Sequence, residues 1–165
     1  MCAALAALLL CSLTACGKTE EPARQDIFAM DTYMSLVAYG EDGQEALAAA
    51  AREINRLEQE LSRTVSTSYI YKLNENGSAA VSEETANLLK AAMDYSAATG
   101  GLFDMTVAPL VSLWGITTDS PRVPSRSEID ALLPLVGSDH VHLDGQTVTL
   151  DAGCAVDLGG IAKGY

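Results

Sequence analysis

The residues best suited to chemistry stand together at the end of the sequence, in Asp157-Leu158-Gly159-Gly160-Ile161-Ala162-Lys163-Gly164-Tyr165. The small, apolar run Cys154-Ala155-Val156 delivers a carboxylate into two adjacent glycines. The spacing predicts a helix that opens there and carries Lys163 one turn in. Adjacent glycines let main chain approach a ligand closely, and the free N–H groups of a helix start attract anions. An acid, bare main chain and a lysine in so short a span suit a phosphate-bearing cofactor together with a metal ion. Two common phosphate loops do not account for the run. Its glycines lack the G-x-G-x-x-G spacing, and Lys163 precedes its glycine with no Ser or Thr after it, unlike a Walker A loop. A strand-to-helix corner that needs glycine only for packing is the plain alternative.

Other candidates are more scattered. Asp104, in Gly101-Leu102-Phe103-Asp104, follows a helix stop and is either a ligand-facing acid or a solvated turn aspartate. Trp114 ends an apolar run and reads as core or as the wall of a cofactor pocket. His140 and His142 share one strand face at period two and could hold a metal in principle, but no third ligand stands near them in sequence. Cys154 sits among small and apolar residues and reads as packed core rather than nucleophile. No Ser/His/Asp set and no H-E-x-x-H motif is present, and Ser62 to Ser68 reads as a Ser/Thr-rich loop.

The elements that must position these groups alternate irregularly. Ile27 to Tyr39 contains a β-like run rich in aromatic and β-branched residues, closed by Glu41-Asp42-Gly43. Leu47, Ala50, Ala51, Ile54, Leu57 and Leu61 follow helical spacing, with one polar interruption at Glu58. Ile70 to Leu73 is short and ambiguous, and Asn74-Glu75-Asn76-Gly77 reads as a turn. Ser82 is a good N-cap for a second helix with a stripe at Ala86, Leu89, Ala92 and Met93, stopped by Gly100-Gly101. Ser125-Arg126-Ser127-Glu128 fits a capping box, and Pro134 should kink or end the helix it opens. His140 to Leu143 and Gln146 to Leu150 read as a hairpin with a type I′ turn at Asp144-Gly145. Without strict βαβ alternation the expected class is α+β, with mixed or antiparallel sheets and packed helices.

The 165 residues suffice for one domain with a sizeable core. A formal charge of -12 excludes a general nucleic-acid binder, which needs a basic face. Ala3 to Leu13 is apolar but too short to span a bilayer. It ends in Leu13-Thr14-Ala15-Cys16, the pattern of a bacterial lipobox, followed by a charged stretch. Residues 1–15 therefore read as a lipoprotein signal peptide, Cys16 as the lipidated residue and 16–26 as a polar tether, with 27–165 as the folded part. The positive start of a signal peptide is missing, so the start codon is expected upstream. Cys2 and Cys11 fall in the removed segment, which leaves Cys154 without a disulfide partner.

Several of these pieces, in order, resemble the ApbE-type FAD:protein FMN transferases. They are Met30-Asp31-Thr32, where the family has Met-Gly-Thr; Leu61-Ser62-Arg63 with Leu73-Asn74; Gly101-Leu102-Phe103-Asp104-Met105-Thr106-Val107-Ala108-Pro109-Leu110; Leu113-Trp114-Gly115; and the closing run from Asp157 to Tyr165. The resemblance implies an ApbE-like, T-fold-related fold, of which this chain is an N-terminal fragment. It implies that FAD is the substrate, that FMN is joined through its phosphate to a Ser or Thr hydroxyl of an acceptor protein, and that AMP leaves, with Mg2+ as the metal. Met30, Leu102, Phe103, Asp104, Asp157 and Lys163 should contact FAD, and the Gly160 main-chain carbonyl should be a metal ligand, so that its side chain could vary. Further metal ligands are expected beyond Tyr165, which makes this fragment alone inactive by expectation. The implied acceptors are extracytoplasmic subunits of redox complexes, and the implied place is a bacterial membrane, lipid-anchored and facing the periplasm or cell exterior. Thr64 stands where many members place an aromatic that covers the flavin. Two alternatives need the same pocket: a lipid-anchored FAD-binding protein, and an extracellular FAD pyrophosphatase.

Overall fold

The structure is a computed structural model that describes residues 21–116 and 118–165. The expected signal peptide, Cys16 and the first part of the tether lie outside the described residues. Two compact units divide the chain: the described residues up to Ile27 with Tyr33–Ala51, and Phe28–Thr32 with Arg52–Tyr165.

β1 (Ala23–Ala29) pairs with β2 (Thr32–Ala38), and all of this hairpin but its turn end, Phe28–Thr32, belongs to the first unit. The strand begins inside the stretch expected to be tether. Its polar residues are not free: Ser35 donates to the Asp26 carboxylate at 2.7 Å, and hydrogen bonds from Tyr33 and Ser35 hold that carboxyl below its ordinary range. Such cross-strand side-chain pairs lie on the exposed face of the hairpin, while Ile27, Met34 and Leu36 are half-buried on the other. Helix α1 (Gly43–Leu61) follows, with its residues from Arg52 onward in the second unit.

The second unit holds the core. β3 (Ser78–Ala80), β5 (Thr147–Leu150) and β4 (Val141–Asp144) form an antiparallel sheet in the order β3-β5-β4, with both Ala79 and Leu143 opposite Val148. Helix α2 (Tyr69–Asn76) and helix α3 (Glu83–Ala98) share one buried cluster with the sheet, to which they contribute Ile70, Leu73, Leu88, Leu89 and Ala92. Met105, Cys154, Val156 and Leu158 complete it, so the segments expected to carry the site grow straight out of the core. The class is α+β, as the irregular alternation implied. Helix α4 (Ala108–Trp114), helix α5 (Arg126–Leu132) and 3-10 turns finish the architecture.

Local chemistry explains the boundaries. Ser82 and Ser125 accept from Thr85 N and Glu128 N, the latter within a complete capping box. Four readings need correction. Asn74 to Gly77 is not a free turn: Ser68 caps α2, which runs to Asn76 and ends at Gly77 in the left-handed region. The β4–β5 loop is Gly145-Gln146 rather than Asp144-Gly145, because Asp144 pairs with Thr147. Only the glycine has positive φ, the pattern of a II′ turn instead of I′. His140 belongs to the 3-10 turn before β4 rather than to the strand. Trp114 is 38% exposed and stands outside the buried core.

Gly115 ends α4 at φ 68°, and a Cβ there would lie 2.6 Å from Ser120 O and 3.1 Å from Pro121 Cα. Gly77 has a similar φ of 69° with nothing within 4 Å of an added Cβ. Gly77→Ala should therefore cost only the left-handed penalty of about 1 kcal/mol. Gly115→Ala adds a main-chain clash and should cost about 2–4 kcal/mol in urea unfolding.

Candidate functional site

The Met30–Asp31 turn between β1 and β2 holds two consecutive non-glycine residues in the left-handed region, at φ 53° and 52°. That is the arrangement of a type I′ hairpin turn, which normally selects Asn, Asp or Gly. Asp31 is thus accommodated where the resembled pattern has glycine, because aspartate is among the side chains that tolerate this conformation. Methionine is not, so Met30 carries local strain. The Met30 N–H donates to Glu58 Oε1 at 2.9 Å. The Thr32 hydroxyl donates to the Met30 carbonyl at 3.2 Å and accepts from the Lys163 ammonium.

Asp104 follows α3 and caps the 3-10 turn Met105–Val107. Its Oδ1 accepts from Thr106 N at 2.8 Å and from the Thr106 hydroxyl at 2.5 Å, and its Oδ2 accepts from Ser96 at 3.1 Å. Thr106 is buried and also accepts from Gly137 N at 2.7 Å. This is not a solvated turn aspartate: it is an anion held in a fixed orientation by three donors.

Asp157 is fastened on three sides. Its own N–H donates to the Met105 carbonyl at 2.7 Å, its Oδ1 accepts from Gly159 N at 2.8 Å, and its Oδ2 meets Arg63 Nε at 2.8 Å. Both side chains of that ion pair are 19% exposed. The residue before it is held by an amide that imitates a strand partner. Asn74 Nδ2 donates to Val156 O at 2.9 Å and Asn74 Oδ1 accepts from Val156 N at 2.8 Å.

The residues after Gly159 form successive turns instead of the expected helix. Ala162 N bonds Leu158 O at 2.8 Å and Tyr165 N bonds Ile161 O at 3.2 Å, but these bonds are not consecutive. Glycines at 160 and 164 are poor propagators of a helix. A Cβ added at Gly160 would lie 3.2 Å from Phe103 Cε2, so a side chain there presses on the aromatic ring and the position is less free than expected.

All these segments belong to the second unit and line one cavity of about 610 Å³. Met30, Leu102, Phe103, Asp104, Asp157, Gly160 and Lys163, the residues singled out from sequence, all stand on it. Leu102 is 94% exposed at its edge. Trp114 is not among the lining residues; Val107, Val111 and Ile116 supply apolar wall near it. Sequence reasoning missed Glu58 and Arg63 as site residues, and Asn74, Thr32 and Thr106 as supports. Glu58 had announced itself as a polar residue in an apolar stripe. The cavity carries four carboxylates (Asp31, Glu58, Asp104, Asp157) against two cations, Arg63 and Lys163. Apolar surface with a few convergent charged groups is the usual make-up of a cofactor site.

The ApbE family pattern matches residues 30–165. The chain belongs to the ApbE family. It is 33% identical over 172 residues to the FAD:protein FMN transferase of Vibrio cholerae, an alignment covering 98% of this chain and 51% of that protein. The crystal structure of the ApbE protein from Thermotoga maritima superposes with a TM-score of 0.82 at 35% identity, over 88% of this chain and 50% of that one. The flavin transferase ApbE from Vibrio cholerae superposes with a TM-score of 0.73 at 26% identity, over 87% and 50%. The chain thus spans about half the length of these ApbE relatives.

Both histidines meet Asp151. His140 Nδ1 lies 3.0 Å from Asp151 Oδ2 and its Nε2 lies 3.0 Å from Pro134 O, while His142 Nε2 lies 2.8 Å from Asp151 Oδ1. Among the described residues no group of His, Cys, Asp and Glu is arranged to hold a metal ion. Cys154 is buried in the core, and burial raises its thiol above the ordinary range, with the Asp151 charge adding to this.

Two outcomes follow from these contacts. Asn74→Ala leaves both main-chain groups of the fully buried Val156 without partners, and should cost about 2–4 kcal/mol in chemical denaturation. The hydrogen bond to Asp151 raises His140 and lowers Asp151. The raised histidine stabilises the fold fully below its unfolded value and loses this as pH climbs through its folded one. The lowered aspartate stabilises above its unfolded value and loses this as pH falls through its folded one. Stability from the pair should peak between about pH 4 and 6.5. Asp151→Asn should flatten the decline in thermal midpoint between about pH 6 and 8.

Proposed function

We propose that this chain forms the flavin-nucleotide-binding part of an FAD:protein FMN transferase. The observation that carries the reading is the convergence of four separated segments, each with its family motif, on one cavity that joins an apolar wall to charged groups. In the proposed reaction a Ser or Thr hydroxyl oxygen of the acceptor attacks the flavin-side phosphorus of FAD. The bond to the AMP phosphate breaks, its electron pair leaves with AMP, and the hydroxyl proton passes to solvent. Positioning and charge neutralisation supply most of the acceleration in such transfers.

The chain's own residues suit this division of labour. Leu102, Phe103 and Met30 offer apolar surface to the flavin ring. Asp104, fixed by its donors, can accept from polar groups of the substrate. Lys163, on the same cavity, and Arg63, anchored on Asp157, present positive charge to phosphate oxygens.

Magnesium is the metal the family implies, and the residues present fit a cation in part. No hydrogen bond falls on the Gly160 carbonyl among the described residues, so its lone pairs are open. The excess of carboxylates over cations would repel a diphosphate that arrived without a counter-ion. Both Asp157 oxygens are already engaged, as are those of Asp104. These residues therefore cannot complete the near-octahedral oxygen shell that magnesium demands. We assign the other ligands to the part of the relatives' length that this chain does not span, and expect the chain alone to be inactive. When bound, the ion would neutralise the diphosphate and stabilise the departing AMP.

Sequence supports a place for the reaction. The Leu13-Thr14-Ala15-Cys16 lipobox supports lipidation at Cys16 and an anchor on the outer side of a bacterial membrane, where extracytoplasmic redox subunits would be the acceptors. No helix among the described residues is long and apolar enough to cross a membrane. A second reading, FAD hydrolysis without protein transfer, draws support from Thr64, a small, exposed residue on the cavity where a covering aromatic would exclude water.

The test is incubation of the full-length protein with FAD, magnesium and a Ser/Thr-bearing extracytoplasmic redox subunit. Flavin fluorescence should stay on the acceptor in a denaturing gel, with AMP released in equal amount. Free FMN and an unlabelled acceptor would favour the second reading, and flavin that washes off unchanged would mean binding alone. Lys163→Ala in the full-length protein should raise the KM for FAD about tenfold, the usual worth of one charge-assisted phosphate contact.

A further inference from the structure

We propose that Glu58 is a positioning residue for the flavin site. Its carboxylate pins the Met30 main chain in the left-handed conformation that presents the Met30–Asp31 turn to the cavity. The inference rests on the flavin reading of the cavity for its consequence, but not for its geometry.

Three observations meet on this side chain. Glu58 lies on the apolar stripe of α1, between Leu57 and Leu61, where helical spacing calls for a hydrophobic residue. A carboxylate on such a face is costly unless it is paired. Its Oε1 accepts from Met30 N at 2.9 Å, across the cavity wall that both residues line. The residue it holds is the strained one: Met30 has φ 53° with no glycine, asparagine or aspartate chemistry to favour it. A hydrogen bond to an ionised acceptor is stronger than one to a neutral group and offsets part of that strain.

Charge separates this role from two others. A general base, or a carboxylate ligand to a cation, acts through its negative charge, which the second oxygen could present. A pin needs only an acceptor at the right distance, here Oε1 facing the Met30 N–H. Glu58→Gln distinguishes these, because it keeps an oxygen acceptor of the same reach and loses the charge.

The experiment compares full-length wild type, Glu58→Ala and Glu58→Gln by two readouts. Hydrogen exchange of the peptide covering residues 28–34 is read without flavin. FAD affinity is read by quenching of flavin fluorescence. Glu58→Ala should speed exchange at the turn and weaken FAD binding about tenfold, while Glu58→Gln should keep both within about threefold of wild type. Glutamine behaving like alanine would overturn the proposal in favour of a charge-dependent role, and so would unchanged exchange in Glu58→Ala. If wild type itself binds no FAD, the flavin reading fails, while the exchange data still decide whether Glu58 holds the turn.

Discussion

The site depends on how Asp157 is tied down. Its main-chain N–H reaches the Met105 carbonyl, one carboxylate oxygen closes back on Gly159 N, and the other meets Arg63. Through these bonds the diglycine segment is fixed to the loop that carries Asp104 and to the chain just after α1. The Asn74 amide fixes the preceding residue in the same way, by matching the N–H and C=O of Val156 as a neighbouring strand would. Val156 and Leu158 then anchor the segment in the core. A main-chain stretch without regular secondary structure is thereby held almost as firmly as a strand, while no hydrogen bond engages its Gly160 carbonyl among the described residues.

Charge explains why these acids are so well partnered. An ionised carboxylate beside apolar wall must find donors or lose its charge. Asp104 finds Ser96 and Thr106, and Asp157 finds Arg63 and Gly159. Their negative field nevertheless remains in a cavity that we read as receiving a diphosphate. Two cations cannot balance four carboxylates and an incoming anion, so the site as built favours a ligand that brings positive charge with it. The same field would disfavour a free phosphate monoester arriving without a cation. This gives a physical reason for a nucleotide-metal complex to be preferred over a bare nucleotide.

The parts of this molecule that were legible in sequence are those whose physics is local. Ser82 and Ser125 declare helix starts because a cap needs only its own next three residues. The site motifs were legible as motifs, each being short and contiguous. Helix α2 was not, because its buried residues Ile70 and Leu73 are few and its Asn-rich end looks like a turn. What makes that end helical is tertiary: Asn74 is occupied with Val156, far along the chain. Arg63 was quoted for its motif but not for its role, since its partner Asp157 is equally distant in sequence. Trp114 failed as a core residue because hydrophobicity gives no direction, and α4 turns that face partly toward solvent. The Gly145 turn shifted by one residue because Asp-Gly favours I′, while the Asp144–Thr147 pairing requires the loop to begin at the glycine.

The Met30–Asp31 turn shows how aspartate can stand at a position that demands positive φ. A type I′ turn suits a hairpin because its twist matches the strands, but it demands positive φ at both central residues. Glycine at the second position meets that demand freely, at the cost of a floppier unfolded chain. Aspartate meets it with modest strain, and the chain here holds Asp31 at φ 52°. The difference is therefore one of charge more than of shape: Asp31 adds a fourth carboxylate to a cavity where glycine would leave three. That addition deepens the negative field at the mouth of the site, so this chain should depend more heavily on a counter-ion than a relative with glycine at the same turn.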